Sequence, residues 1–400
     1  MTGAMSWPFL RLYILVLGYF SANAILNVII PLQGNAWGAT NTTIGLIMGA
    51  YLLTTMFFRP WAGQMIQQYG PIRILRLILI INAVALLLYT FTGLSGYLIA
   101  RILQGVSTAF FSMALQMGII DALPEKDRSQ GISLYSLCSY MPGIIAPLLA
   151  LGIWQSGNMT YFTITMIAIA VFTGVLGYTA RIDTRPSTAT KDSSDQRTGT
   201  IGSLKQLITN PTLFTCSLMM LTASVVFGAV TTFIPLYAKE LTGGSAGVYL
   251  MIQAATVVIA RFTLRKKIPS DGKWHTSFIV GALLLLTIAA QLISLSVIIG
   301  AVVLYIGAIC MGVAQAILYP TLTTYLSFVL PTHNRNILIG LFIATADLGM
   351  SLGSIIMGPL SGVLSYSGMY SICTLLGVML IVFTLLKRRT MERGINNLLN

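Results

Sequence analysis

The chain has 400 residues, of which 56% are hydrophobic and only 8% charged, and its mean hydropathy is +0.84. Soluble domains carry about 25% charged residues, so a water-soluble enzyme, a disordered scaffold and a disulfide-rich secreted domain are all excluded. The net charge of +13 would suit a nucleic-acid binder, but in a membrane protein it follows from basic cytoplasmic loops, and no nucleic-acid partner is expected.

Apolar runs broken by turn and charge signals predict twelve spans, near 9–31, 43–66, 73–93, 96–120, 130–154, 160–180, 212–238, 246–266, 276–296, 298–327, 336–363 and 367–386. Crossing a bilayer takes roughly 20 apolar residues. Each span must be helical, because unpaired backbone groups in hydrocarbon cost several kcal/mol. The first run has no small-residue cleavage site and reads as a span, not a signal peptide. The long polar stretch from Arg181 to Gln206 is too rich in Ser, Thr and Asp to bury a core and reads as a linker. The expected fold is therefore an all-α membrane protein, with an N-terminal six-helix bundle over 1–180, a cytoplasmic linker over 181–211 and a C-terminal six-helix bundle with a short basic tail over 212–400.

With both termini in the cytoplasm, nineteen Lys and Arg fall on the inner side and one, Lys239, on the outer side. That asymmetry fixes the expected orientation. Three cations remain inside spans: Arg59, Arg101 and Arg261.

The two halves repeat one another. Arg59 is followed by Gly70 after eleven residues, and Arg261 by Gly272 at the same separation; Gly105, Pro124 and Arg128 in the first half match Gly312, Pro331 and Arg335 in the second. Spans five and eleven each carry a proline after a small residue, Ala146-Pro147 and Gly358-Pro359. Parallel six-span repeats are a transporter plan.

The four cysteines stand apart in apolar runs without CxxC spacing, so neither a metal nor a disulfide framework is expected. The chain has no GxxxxGK[ST] phosphate loop, which excludes ATP-driven transport by this chain, and no cofactor is expected. His275 and His333 read as solvated loop residues.

Charges inside a membrane cost at least ~2.5–3.5 kcal/mol at a helix centre unless paired or solvated, so they carry the information. Asp347, eleven residues into span eleven, is the one carboxylate deep in a span. It suits a reversible proton carrier, or else a static partner for an arginine. Arg101 could hold a substrate carboxylate, displace a proton from an acid, or snorkel to the outer interface. Arg59 and Arg261 occupy matching places near the inner ends of spans two and eight, which suits a structural task at a cytoplasmic gate. Asn23 and Asn27 lie one turn apart on one face of span one. Tyr51 and Gln253 are equivalent under the 202-residue offset that relates Arg59 to Arg261.

The segment Arg101-Ile-Leu-Gln104-Gly105 with Ala109 fits R-x-x-Q-G-x-x-x-A; the loop from Gly63 to Arg73 sits where G-x-x-x-D-R-x-G-R-R would stand, keeping Gly63 and Gly70 but with Gln67 and Gln68 in place of the ion pair; and Pro142 to Ala150 is a weakened G-x-x-x-G-P-x-x-G-G. In these segments and over its whole length the chain resembles the major facilitator superfamily, proton-coupled antiporter type. The resemblance implies a role in proton coupling for Arg101, and a central cavity lined by spans that here hold Gln104, Gln116, Tyr135, Tyr140, Gln315 and Tyr319. Segments such as SANAILNV, FRPWAGQ, GIIDALPEKDRS and GLFIATADLG also resemble bacterial exporters of opine-type, staphylopine-like metallophores, which are nicotianamine-like polycarboxylate chelators.

The leading expectation is thus a proton-coupled exporter of an anionic or zwitterionic small molecule in the bacterial cell membrane, monomeric, with protons and the bilayer as its other partners. Cation-drug exporters of the superfamily place several carboxylates in the cavity, whereas this chain offers one against three intramembrane arginines. A multidrug exporter of hydrophobic compounds is the first alternative, consistent with 17 Phe, 17 Tyr and 19 Met. A non-transporting membrane sensor or scaffold is the second, opposed by the lack of any soluble domain beyond the linker.

Overall fold

The computed structural model describes residues 3–180, 207, 209–264, 267–269, 271–331 and 335–396. The predicted linker from Arg181 to Gln206 and His333 lie outside the described residues. Among those described, eleven helical stretches are long and apolar enough to cross a membrane. The longest, Ile337–Arg388, has 52 residues. At 1.5 Å per residue it would run about 78 Å, more than twice a hydrocarbon core of roughly 30 Å. It breaks at Ser365, whose φ of 65° and ψ of 168° are not helical. This run is therefore spans eleven and twelve, which makes twelve spans among the described residues.

Local chemistry sets each boundary. Span one is Trp7–Ala36. Span two, Asn41–Tyr69, starts where the Thr43 N–H donates to Thr40 Oγ1 at 3.2 Å. It ends at Gly70, whose φ of +84° closes the helix, and Pro71, which needs no N–H partner in a first turn, opens span three at once, Pro71–Phe91. The repeat-related Gly272 also has positive φ, +73°. Span four is Leu94–Ala122, span six Thr160–Thr179. Span five, predicted as one helix over 130–154, is two pieces, Glu125–Tyr140 and Pro142–Gln155, because Pro142 has no N–H to continue the ladder. Span seven, Pro211–Tyr237, is capped by the Asn210 side chain, which accepts from the Thr212 and Leu213 N–H groups. Spans eight, nine and ten are Ala246–Thr263, Thr276–Ile299 and Ala301–Val329.

The contacts form two compact units. Described residues of 1–188 with Ala246–Ala254 make one, and those of 189–245 and 255–400 the other. Large apolar side chains face outward from both, Ile80 at 64% and Val363 at 82% exposure among them. Such surfaces would drive aggregation in water and are the low-energy arrangement in lipid.

Without a hydrophobic drive between helices in lipid, small residues decide which backbones meet. In the first unit, a Cβ on Gly105 of span four would collide with the Tyr51 carbonyl oxygen and lie 2.9 Å from Thr54 Cβ. In the second, Gly349 and Gly353 of span eleven press on the Leu221 and Val225 carbonyls of span seven, and Gly228 presses back on Met350 O. Thr232 and Ser354 share a hydrogen bond at 2.7 Å across the same seam.

Gly105→Ala should separate spans two and four and lower stability by about 1–3 kcal/mol, the usual cost of overpacking. Gly174→Ala, with nothing within 4 Å of the added Cβ, should be neutral or stabilising, since Ala is the better helix former. Thermal melting of both variants in one detergent checks the contrast.

Candidate functional site

Close approach at Gly105 sets up the polar centre of the first unit. Thr55 Oγ1 of span two donates to the Gly105 carbonyl at 3.1 Å and to Tyr51 O at 2.8 Å, which holds Tyr51 against span four. The Tyr51 hydroxyl donates to Thr108 Oγ1 at 3.0 Å, and Tyr19 of span one shares a hydrogen bond with the same hydroxyl at 3.0 Å. One turn back on that face of span four are Gln104 and then Arg101.

Arg101 is fully buried, so it does not snorkel outward. Nη1 donates to Asn23 Oδ1 at 2.8 Å and Gln104 Oε1 at 3.3 Å; Nη2 donates to Asn27 Oδ1 at 2.9 Å and approaches Met48 Sδ at 3.2 Å. Cζ lies 5.2 Å from the centre of the Tyr51 ring, within cation–π range. Tyr89 of span three donates to the other side of Gln104 Oε1 at 3.0 Å. Among the described residues every partner of Arg101 is neutral, and its Nε–H meets no acceptor. An ionised group taken out of water costs several kcal/mol unless its hydrogen bonds are replaced. Here amide dipoles and one aromatic face replace them without cancelling the charge. A carboxylate reaching this site would meet an unneutralised guanidinium with a donor to spare.

Residues 12–354 match the profile of the Major Facilitator Superfamily. The chain belongs to that superfamily. It is a multi-pass membrane transporter of small molecules, not an enzyme. It is 54% identical over 391 residues to the staphylopine export protein of Staphylococcus aureus strain Mu50, an alignment covering 98% of each chain. The crystal structure of a point mutant of the nucleoside transporter NupG superposes with a TM-score of 0.78 at 13% identity, covering 94% of this chain and 98% of that one. A bacterial homologue of the human lysosomal transporter Spinster, inward-facing and unoccupied, gives 0.76 at 15% identity over 97% and 98%. At those identities the two structures speak for the fold alone.

Of the residues that the superfamily motifs and polar patterning single out, Asn23, Asn27, Tyr51, Arg101 and Gln104 come together as described. A second group sits toward the other end of span four, where Gln116 shares a hydrogen bond with Tyr135 and where Arg59 and Tyr140 are near that tyrosine. Fifteen residues separate Arg101 from Gln116, about 22 Å of helix, but Tyr135 is also near Tyr51 and Tyr19, so the two groups adjoin. In span eight Gln253 is buried and Arg261 half-buried. Asp347 is half-buried in span eleven, as is Gln315 in span ten. Tyr319 stacks on Phe342 with ring centres 6.0 Å apart. Pro147 and Pro359 both lie within helices. Gly70 is required by its φ, while Gly63 has only Met113 Cε, at 4.0 Å, near an added Cβ. Arg101 and Asp347 fall in different units.

Sequence reasoning missed Tyr19, Met48, Tyr89 and Thr108. Thr108 could have been found, since it follows Arg101 by seven residues and Gln104 by four, on one helical face. Tyr89 had no such signal. His275, expected to be simply solvated, pairs through Nε2 with Asp271 at 2.8 Å. No group of three or more His, Cys, Asp or Glu among the described residues could hold a metal, and Cys138, Cys216, Cys310 and Cys373 are free thiols.

If amide oxygens stabilise the buried cation, Asn23→Ala and Asn27→Ala should each destabilise the protein by about 1.5–3 kcal/mol, the range for hydrogen bonds to charged groups. In an Arg101→Met background the same changes should cost much less. A double-mutant cycle on melting curves checks this; equal costs in both backgrounds would show that the asparagines pack and do not compensate charge.

Proposed function

We propose that this chain exports an anionic or zwitterionic, staphylopine-like metallophore across the bacterial cell membrane by proton antiport, as a monomer with both termini cytoplasmic. The observation that carries the reading is Arg101, buried among neutral acceptors with a donor unused. A nicotianamine-like chelator has several carboxylates, and a desolvated guanidinium pairs with a carboxylate through a two-donor fork. Asn23, Asn27, Gln104 and Tyr51 orient that fork. The near-complete alignment to a staphylopine export protein supports the same substrate class. The linker over 181–211, flanked by bundles over 1–180 and 212–400, is part of this reading, as is the strongly one-sided distribution of Lys and Arg that places the termini inside.

Asp347 carries the proton in this scheme, because coupling needs a titratable group away from bulk water and no other carboxylate is so deep in a span by sequence. Arg59 and Arg261 act at the cytoplasmic gate, where Gln67 and Gln68 remove the ion pair usual to the superfamily. Gln116, Tyr135, Tyr140, Gln253, Gln315 and Tyr319 supply polar contacts along the path.

Transport of the metal-free chelator into proteoliposomes under an imposed pH gradient tests the reading. Arg101→Lys should weaken apparent substrate affinity roughly tenfold by removing the fork, and Arg101→Ala should weaken it more. Asp347→Asn should abolish gradient-driven transport while leaving the melting temperature near wild type. Hydrophobic cationic dyes should be untouched or better handled by Arg101→Ala. Loss of dye transport with chelator transport intact would replace the proposal with a multidrug exporter.

A further inference from the structure

A threonine hydroxyl inside a helix commonly returns to the carbonyl one turn back. Thr55, Thr173, Thr222 and Thr287 all do so, at 2.7 to 2.9 Å. Thr108 Oγ1 is shared instead by two tyrosine hydroxyls from two other spans, Tyr19 of span one and Tyr51 of span two, each at 3.0 Å. All three side chains are buried. In hydrocarbon a hydroxyl that gives up its own backbone has to find its partners on neighbouring helices, and here it joins three of them at one oxygen.

The spans that meet at Thr108 also meet at Arg101. In span one Asn23 follows Tyr19 by four residues, in span two Tyr51 follows Met48 by three, and in span four Thr108 follows Arg101 by seven. Residues at these spacings share a helical face. Spans one, two and four therefore present one layer of groups to the guanidinium and a second layer to the Thr108 hydroxyl, about 10 Å further along span four. Helices joined at one point can still twist about it; joined at two, they cannot. Apolar packing alone does not supply the second point. Tyr19 stacks on Phe111 with ring centres 3.8 Å apart, which seats the ring against span four, whereas the hydrogen bond decides where its hydroxyl stops. The Tyr51 ring lies 5.2 Å from Arg101 Cζ, so the anchorage of its hydroxyl decides how the ring meets the guanidinium.

We propose that Thr108 is a positioning residue for substrate recognition. Its hydroxyl fixes Tyr51 against the Arg101 guanidinium and, through Tyr19, sets the rotation of the helix that carries Asn23 and Asn27. It thereby governs affinity for a carboxylate that it does not touch. This rests on the reading of Arg101 as the carboxylate-binding group. Valine has nearly the shape of threonine and lacks only the hydroxyl, so Thr108→Val separates the hydrogen-bonding role from the filling of space.

Calorimetric binding of metal-free nicotianamine to the full-length protein in nanodiscs, with proton–nitrogen NMR of the arginine side chains, tests this role. The Arg101 signal is the one missing from Arg101→Lys. Compared with Tyr51→Leu, wild type should show that signal displaced upfield by the tyrosine ring. Thr108→Val should lose most of the displacement and bind nicotianamine roughly fivefold more weakly, and Thr108→Ser, which keeps the hydroxyl, should restore both. In an Arg101→Lys background, Thr108→Val should cost no further affinity. A threonine that only packs would lower the melting temperature and the competent fraction, leaving the affinity of the folded protein and the Arg101 signal where they were. That result in Thr108→Val would overturn the proposal. So would an equal loss of affinity in the Arg101→Lys background, because Thr108 would then act independently of the arginine. If nicotianamine fails to bind wild type, or binds Arg101→Lys equally well, the substrate reading fails, and the Arg101 signal still decides whether Thr108 positions the guanidinium. Should Thr108→Val not fold, Tyr51→Phe, which keeps the ring and removes its bond to Thr108, decides on the same two readouts.

Discussion

In hydrocarbon, no solvent stands ready to accept a backbone hydrogen bond, and every other feature of this molecule is subordinate to that. The chain answers with helices, and it leaves them where a residue removes or redirects the ladder: Gly70 and Pro71 between spans two and three, Pro142 inside span five, Ser365 between spans eleven and twelve. At Ser365 the corner is held by hydroxyls. Ser294 donates to the Ser367 carbonyl at 2.9 Å, Ser367 donates back to Ser294 O at 2.8 Å, and Tyr237 donates to Ile293 O at 3.0 Å. Side chains there do for the backbone what water does in a soluble protein.

Polar side chains are subject to the same rule, which gives Arg101 its significance. A guanidinium could have been neutralised by a carboxylate on a neighbouring helix, giving a pair with no net charge to offer. Instead it is surrounded by amide oxygens, a thioether and an aromatic face. Such a shell satisfies geometry and leaves the field intact. Its amide members do not titrate, so the immediate hydrogen-bonding shell of the arginine is insensitive to moderate changes in pH.

The spans were legible because hydropathy is a property of composition, and the break near Ser365 because polar and small residues interrupt the run there. The internal repeat was legible in a stronger sense: Gly70 and Gly272, matched only by spacing, both adopt the left-handed region. The Arg101 shell was half legible. Asn23 and Asn27 share a helical face, and Gln104 follows one turn after the arginine, so periodicity points to them. Tyr89 and Met48 reach the site through the packing of spans two and three against span four, and packing of that kind depends on Gly105 and on rotations no single-helix pattern contains. The division of span five was available in Pro142, but the surrounding apolar run concealed it.

Spans seven and eleven interlock through carbonyl groups lodged against Gly228, Gly349 and Gly353. Contacts this short between main chains act like cogs: neither helix can turn about its axis or slip along the other by a fraction of a residue without collision. The pair is in effect a single rigid strut. Asp347, two residues from the first cog of span eleven, is consequently fixed in azimuth and depth relative to span seven. Any working stroke that alters its surroundings has to be made by the other helices sweeping past the strut.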